Sequence, residues 1–228
     1  FAELPLVSIS DSQRRPLPWC NWQNTVYHGL PHDLYKFHPE PGKYLAFLGR
    51  VSPEKCPDQA IELAKRVGIP MKMAAKVDPA DRAYFERVVE PLLDHPLIEF
   101  VGEITDAEKS DFIGNAIGLI CPYDWPEPFG LVLIESLACG TPVLAYRRGS
   151  IPEIIGHGVT GFISENLDEM VSQVDKLGTI DRNRCRQVFD ERFTAQRMTT
   201  DYVKIYQQLI TDAAALPGKS GQQHASNL

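Results

Sequence analysis

The chain has 228 residues, 43% of them hydrophobic, and a formal net charge of −7. That composition supports a full buried core and excludes intrinsic disorder, while the acidic balance excludes nucleic acid and anionic membranes as default partners. No run of about 18 apolar residues occurs, so no membrane-spanning helix is expected.

The opening FAELPLVSIS has neither a basic start nor a long apolar stretch, so it does not read as a signal peptide. It also lacks an initial Met and runs straight into a strand-like pattern, which makes a fragment without its upstream part the expectation. LPLVSIS (4–10) reads as the first strand and RRPLPWCNW (14–22) as an exposed loop after it. YLAFLG (44–49), MKMAA (71–75), IEFVG (98–102), GLICP (118–122) and PVLAY (142–146) follow as short strands, apolar on both faces. Between them lie helical segments. PDQAIELAKRV is the first, and DPADRAYFERVVEPLL is the second, with Asp78 as its cap and Pro79 at its first position. TDAEKSDFIGNA carries the capping box Thr105–Glu108, and PFGLVLIESLAC is apolar nearly all round. Strand–helix alternation of this period predicts an α/β fold: a Rossmann-like doubly wound parallel sheet that binds ligands at the carboxyl ends of its strands. HGVTGFIS (157–164) reads as a turn bracketed by Gly158 and Gly161, followed by two or three polar helices ending near Ile210. The expected division is one domain over 1–212 and a flexible tail over 213–228, rich in Gly, Ser and Gln.

Chemistry-bearing residues gather after strands. GRVSPEK (49–55) leads from a strand into a helix, where free amides, Arg50 and Lys55 together suit a diphosphate. Taken alone, it reads more readily as a plain surface loop with two solvated cations, since Arg and Lys are usually exposed. In EPFGLVLIE, Glu127 stands ahead of a helix and Glu135 about two turns inside it, and eight residues at helical rise span roughly 12 Å. That is near the length of a nucleoside diphosphate sugar. One carboxylate would accept from sugar hydroxyls and the other from a ribose diol, with the amides of Phe129, Gly130 and Leu131 between them. A Glu in so apolar a helix needs either a Lys or Arg partner or a ligand. RRGSIPEII (147–155) opens a short helix at another strand end, where a plain capped helix explains it equally well, and the backbone of FVGEI (100–104) stands at a strand end within reach of a base, though no residue type there requires one. The six histidines are scattered, with no i, i+4 pair on a helix, which makes most of them surface or capping residues, and Trp19, Trp22 and Trp125 are weak candidates for a sugar platform. Five cysteines (20, 56, 121, 139 and 185), odd in number and without a CxxC pair, suggest neither a disulfide framework nor a zinc site and fit the reducing cytoplasm.

In this order and spacing, GRVSPEK, CPYDWPEPFGLVLIESLACGTPVLAY, GSIPEII and GVTGF resemble the donor domain of the family 4 glycosyltransferases, retaining enzymes of the two-domain GT-B fold. The resemblance covers about residues 4–212, and HGLP (28–31) resembles the family's NGVD turn. It implies that Arg50 and Lys55, beside Gly49, hold the diphosphate. Glu127 contacts the donor sugar and Glu135 the ribose, Phe129, Gly130 and Leu131 offer backbone donors, and Ser150 and Glu153 stand near the cleft. It implies no metal or cofactor, and a UDP-sugar as the favoured donor. Arg50, Lys55 and Glu127 are then the residues tied to catalysis. Two departures matter: Cys56 stands where the family has Gly, and the acceptor-holding amino-terminal domain is missing, so the chain alone is expected to bind donor but transfer poorly. A dehydrogenase is disfavoured because no G-x-G-x-x-G follows a strand. A non-catalytic nucleotide-binding module and a GT-B epimerase or hydrolase remain alternatives.

Overall fold

A computed structural model describes residues 3–215. In chain order its strands are β1 (Leu6–Ser8), β2 (Trp22–Thr25), β3 (Tyr44–Arg50), β4 (Met71–Lys76), β5 (Ile98–Gly102), β6 (Ala116–Cys121), β7 (Val143–Tyr146) and β8 (Gly161–Ser164). The helices are α1 (Asp11–Arg14), α2 (Pro57–Val67), α3 (Arg82–Tyr84), α4 (Glu90–Leu93), α5 (Asp106–Gly114), α6 (Leu131–Ala138), α7 (Ile151–Ile154), α8 (Leu167–Gln173), α9 (Arg182–Arg192) and α10 (Ala195–Ala215). Six strands form one parallel sheet in the order β5-β4-β3-β6-β7-β8.

That order carries the functional geometry. From β3 the chain steps outward through β4 to β5, then returns through α5 to β6 on the other side of β3. Right-handed crossovers in opposite directions put their helices on opposite faces. The crevice of such a sheet opens where the direction reverses, at the carboxyl ends of β3 and β6. α2 packs with α4 and α8, while α5 and α9 pack against α6. Both faces are therefore covered, which is why β3, β6 and β7 read as unbroken apolar runs.

Four expectations are corrected. LPLVSIS supplies β1, but β1 pairs only with β2 in a separate two-stranded parallel sheet. The segment 14–22 is a loop only in part, since Trp22 opens β2. The sixth strand of the main sheet is β8, within the segment read as a turn. The expected helix over 78–93 is broken into a 3₁₀ turn, α3, a π-helical stretch Phe85–Val89 and α4. Pro91 explains the break: it has no N–H for the carbonyl four residues back, and its ring crowds that turn. The capping box of α5 forms as read, with Thr105 N and Oγ1 both donating to Glu108. α10 runs past residue 212 to Ala215, and the rest of the expected tail, 216–228, lies outside the described residues.

Candidate functional site

Two hollows lie over the reversal point. One, of about 530 Å³, is lined by Gly49, Arg50, Lys55, Tyr123, Glu127 and Phe129 among others. The second, of about 350 Å³, is lined by Ala75, Lys76, Glu103, Ile104, Lys109 and Glu135 among others. Leu48, Gly49, Leu131 and Val132 belong to both walls, so the two form one elongated cleft with Glu127 at one end and Glu135 at the other.

At the first end Lys55 and Glu127 form an ion pair, Nζ to Oε2 at 2.5 Å, with side chains only 14% and 9% exposed. Lys55 Nζ also sits 3.9 Å from the centre of the Tyr123 ring, and Trp125 Nε1 donates to the same Glu127 oxygen at 3.0 Å. Removing two charges from water is costly, and a pair of this kind is retained where its members are positioned for something else or tie segments together. Arg50, at the end of β3, is half exposed and lies 3.4 Å from Glu54 and 3.8 Å from Asp78.

The loop after β3 departs from expectation. Pro53–Lys55 is a 3₁₀ turn, the amides of Lys55, Cys56 and Gln59 already bond to Ser52, Pro53 and Cys56 carbonyls, and Pro57 has none. Few backbone donors are left there for an anion. Cys56 adopts φ +48°, the left-handed conformation that glycine takes without strain. Its thiol turns back onto the Pro53 carbonyl at 3.1 Å and away from the cleft, and burial pushes it up to about 11. The substitution of Gly by Cys therefore leaves the loop conformation open and the cleft uncrowded.

The free donors are at α6. Gly130 caps it at φ +83°, and the amides of Phe129, Gly130, Leu131 and Val132 have no intramolecular acceptor among the described residues. A helix amino end with its first amides unpaired carries partial positive charge and attracts anions. The carbonyl of Glu127 accepts from Ser150 N at 2.9 Å, and Ser150 Oγ donates to Phe129 O at 2.9 Å. At Gly149 (φ +56°) any side chain would meet the Glu127 backbone at 2.2 Å. The 147–151 turn thus clamps the 127–130 loop that presents the amides.

At the second end Glu135 is buried within α6, and Lys109 Nζ of α5 stands 3.6 Å from its Oε1. Tyr35 is packed against it. Burial, then the charge and hydrogen bond of Glu135, raise the Tyr35 hydroxyl far above its ordinary value.

Comparison with known proteins gives the family and supports the fold. The model of the family "Glycosyl transferases group 1" matches residues 35–188, more than half of the chain. The chain belongs to the group 1 glycosyltransferases. Among curated relatives, N-acetyl-alpha-D-glucosaminyl L-malate synthase of Bacillus anthracis is 37% identical over 94 residues, covering 38% of this chain and 25% of that protein. D-inositol 3-phosphate glycosyltransferase of Mycobacterium marinum is 29% identical over 140 residues, covering 59% and 30%. The chain thus spans about a quarter to a third of the length of these two relatives. Among solved structures, Anabaena HepE with UDP and glucose superposes with a TM-score of 0.73 at 19% identity, over 92% of this chain and 63% of that one. Sucrose-phosphate synthase of Thermosynechococcus elongatus superposes at 0.78 and 19% identity, over 91% and 59%. Both have the fold in common with this chain.

In this group 1 glycosyltransferase the cleft gathers Gly49, Arg50, Lys55, Glu127, Phe129, Gly130, Leu131 and Glu135. Two expected site residues stand elsewhere. Ser150 is fully buried, its hydroxyl spent on the Phe129 carbonyl. Glu153 accepts the amides of Asp11 and Ser12, both at 2.8 Å, and Tyr27 Oη at 3.2 Å. It ties α1 to α7 rather than facing the cleft, because a carboxylate near unpaired amides at a helix start satisfies them.

Sequence reasoning missed His28, which lines the cleft beside Phe129, their rings edge-on with centres 5.0 Å apart. Burial, then the Arg197 charge, hold its imidazole below the ordinary range. The Arg197 guanidinium donates to the Tyr27 and His28 carbonyls at 2.7 and 3.1 Å, and Gly29 lies so close to Thr194 O that a side chain would overlap it. The HGLP turn was the available signal: a turn fixed this firmly from behind presents its first residue to the cleft.

Among the described residues, no group of three or more His, Cys, Asp and Glu side chains is placed to hold a metal, and no helix is long and apolar enough to cross a membrane.

Proposed function

We propose that the cleft binds a nucleoside diphosphate sugar as donor for a transfer that retains anomeric configuration. The observation that carries this reading is the continuous cleft between two buried carboxylates, with four unpaired amides of the α6 start along its middle. Glu135 accepts the ribose hydroxyls, the amides and Arg50 hold the diphosphate, and Glu127 accepts from the sugar. Lys55 is shared between Glu127 and the phosphates. Charge that builds on the leaving diphosphate is met by fixed donors already aimed at it, which is the preorganised stabilisation that lowers barriers of this kind. These protein cations supply the counter-charge, so the reading includes no resident metal or cofactor. Uridine is the favoured base, a preference supported by UDP in the Anabaena HepE structures. The acceptor site belongs to a further domain, as the partial coverage of relatives suggests. The cytoplasm suits the free cysteines, four of the five buried.

Calorimetric titration with UDP, GDP and ADP tests the reading, alongside the double variant Arg50→Ala/Glu135→Ala. One nucleotide should bind, and the double variant should abolish it. Binding that survives both substitutions unchanged would place the donor elsewhere.

A further inference from the structure

The group that completes the Glu135 end of the cleft comes from a different element. Lys109 lies one turn inside α5, whose start is fixed by the Thr105–Glu108 capping box. Its ammonium is held 2.9 Å from Asp106 and 3.6 Å from Glu135, and its side chain is 24% exposed, enough to line the cleft without projecting into solvent. Burial weighs against its charge, but the hydrogen bond and charges of Asp106 and Glu135 outweigh burial and keep it ammonium. The Glu135 carboxylate, approached by Tyr35 on the buried side, is a pure acceptor, and Lys109 is a pure donor. An acceptor and a donor 3.6 Å apart on one wall match a vicinal diol, whose two hydroxyls donate and accept at a similar separation.

We propose that Lys109 is a specificity-determining residue that donates to one hydroxyl of the ribose diol while Glu135 accepts from it, so that the cleft selects ribo- over deoxyribonucleoside diphosphates. This rests on the donor-site reading above. A 2′- or 3′-deoxy ligand leaves a buried carboxylate lone pair or ammonium hydrogen without a partner, and unpaired buried polar groups reject such analogues strongly. Asp106 retains the ammonium when the cleft is empty, so the donor stays in place between binding events.

The test is the affinity of the 228-residue chain for UDP, 2′-deoxy-UDP and 3′-deoxy-UDP, measured on wild type, Lys109→Met and Lys109→Arg. The wild type should prefer UDP over both deoxy forms. Lys109→Met should lower that preference about tenfold for at least one of them, the equivalent of one charge-assisted hydrogen bond, and Lys109→Arg should restore part of it. If Lys109→Met weakens all three ligands alike, or none, Lys109 only neutralises Glu135 and the proposal is overturned while the donor site stands. If the wild type binds none of the three, the donor-site reading falls, and the proposal with it.

Discussion

The two edges of the main sheet each bury a cation, and they treat it differently. At the amino edge Arg182 donates to four fixed acceptors: the carbonyls of His38 (2.7 Å), Ala116 (3.0 Å) and Gly114 (2.6 Å) and Thr141 Oγ1 (2.7 Å). These tie the loops before β3, β6 and β7 to the start of α9. At the carboxyl edge Lys55 has one carboxylate partner and an aromatic face, and it borders open volume. A cation with four of its hydrogen bonds already committed to the fold has little left to offer a ligand. A cation held by one carboxylate, with hydrogens to spare, exchanges partners at low cost. Burial alone does not distinguish scaffold from site; saturation of hydrogen-bonding capacity does.

The sharpest way to break this comparison is at Arg182. Arg182→Leu removes four hydrogen bonds, three of them buried, and an expected loss of about 3 kcal/mol or more should lower Tm by roughly 6–12 °C. UDP affinity of the protein that remains folded should be unchanged. If thermal unfolding moves by less than a degree, Arg182 does not hold the amino edge together. Next in size is Lys55→Met, which should weaken UDP binding about 10- to 100-fold, as loss of a charge-assisted contact does, with a smaller shift in Tm than Arg182→Leu produces. Calorimetry beside a melting curve separates the two effects, and unaltered UDP binding would return Lys55 to the scaffold. The smallest expected effect is at His28. Its imidazole titrates below the ordinary 6.5 because burial and Arg197 oppose its charge. The unfolded chain therefore takes up the proton first. The contribution of His28 to stability is complete above pH 6.5 and is lost as pH falls through the lower folded value. Melting temperatures from pH 7.5 to 5 should fall more steeply for the wild type than for His28→Gln; parallel profiles would show that His28 does not titrate in this window.

What the sequence revealed depends on how local the cause was. β3, β6 and β7 were legible because burial on both faces writes an apolar run, and the start of α5 because Thr105 and Glu108 signal it within four residues. β8 was not. Gly161 reads as a breaker, but in the fold a side chain there would meet Val143 O at 1.9 Å, so the glycine is what lets β8 lie against β7. β1 carries the same apolar signature as the central strands, and nothing in LPLVSIS shows that its partner is the polar WQNT. In the cleft, Glu127 and Glu135 were marked by their spacing, whereas Arg50 and Lys55 read alone as solvated loop cations and were singled out only by the family resemblance. That Glu153 is consumed by the amides of Asp11 and Ser12, more than 140 positions away, is a long-range fact that no spacing encodes.

Glu135 is carried by α6 and Glu127 by the loop just ahead of it, which the 147–151 turn clamps in place, so the separation of the two ends is set by a helix that cannot stretch and by that clamp. The protein therefore holds a ruler as well as a site. On the donor-site reading proposed above, a ligand anchored at Glu135 reaches Lys55 only if it is long enough, so a nucleoside monophosphate should bind more weakly than the diphosphate. Selection by length needs no contact with the part being measured, and it would persist even in variants that no longer distinguish one sugar from another.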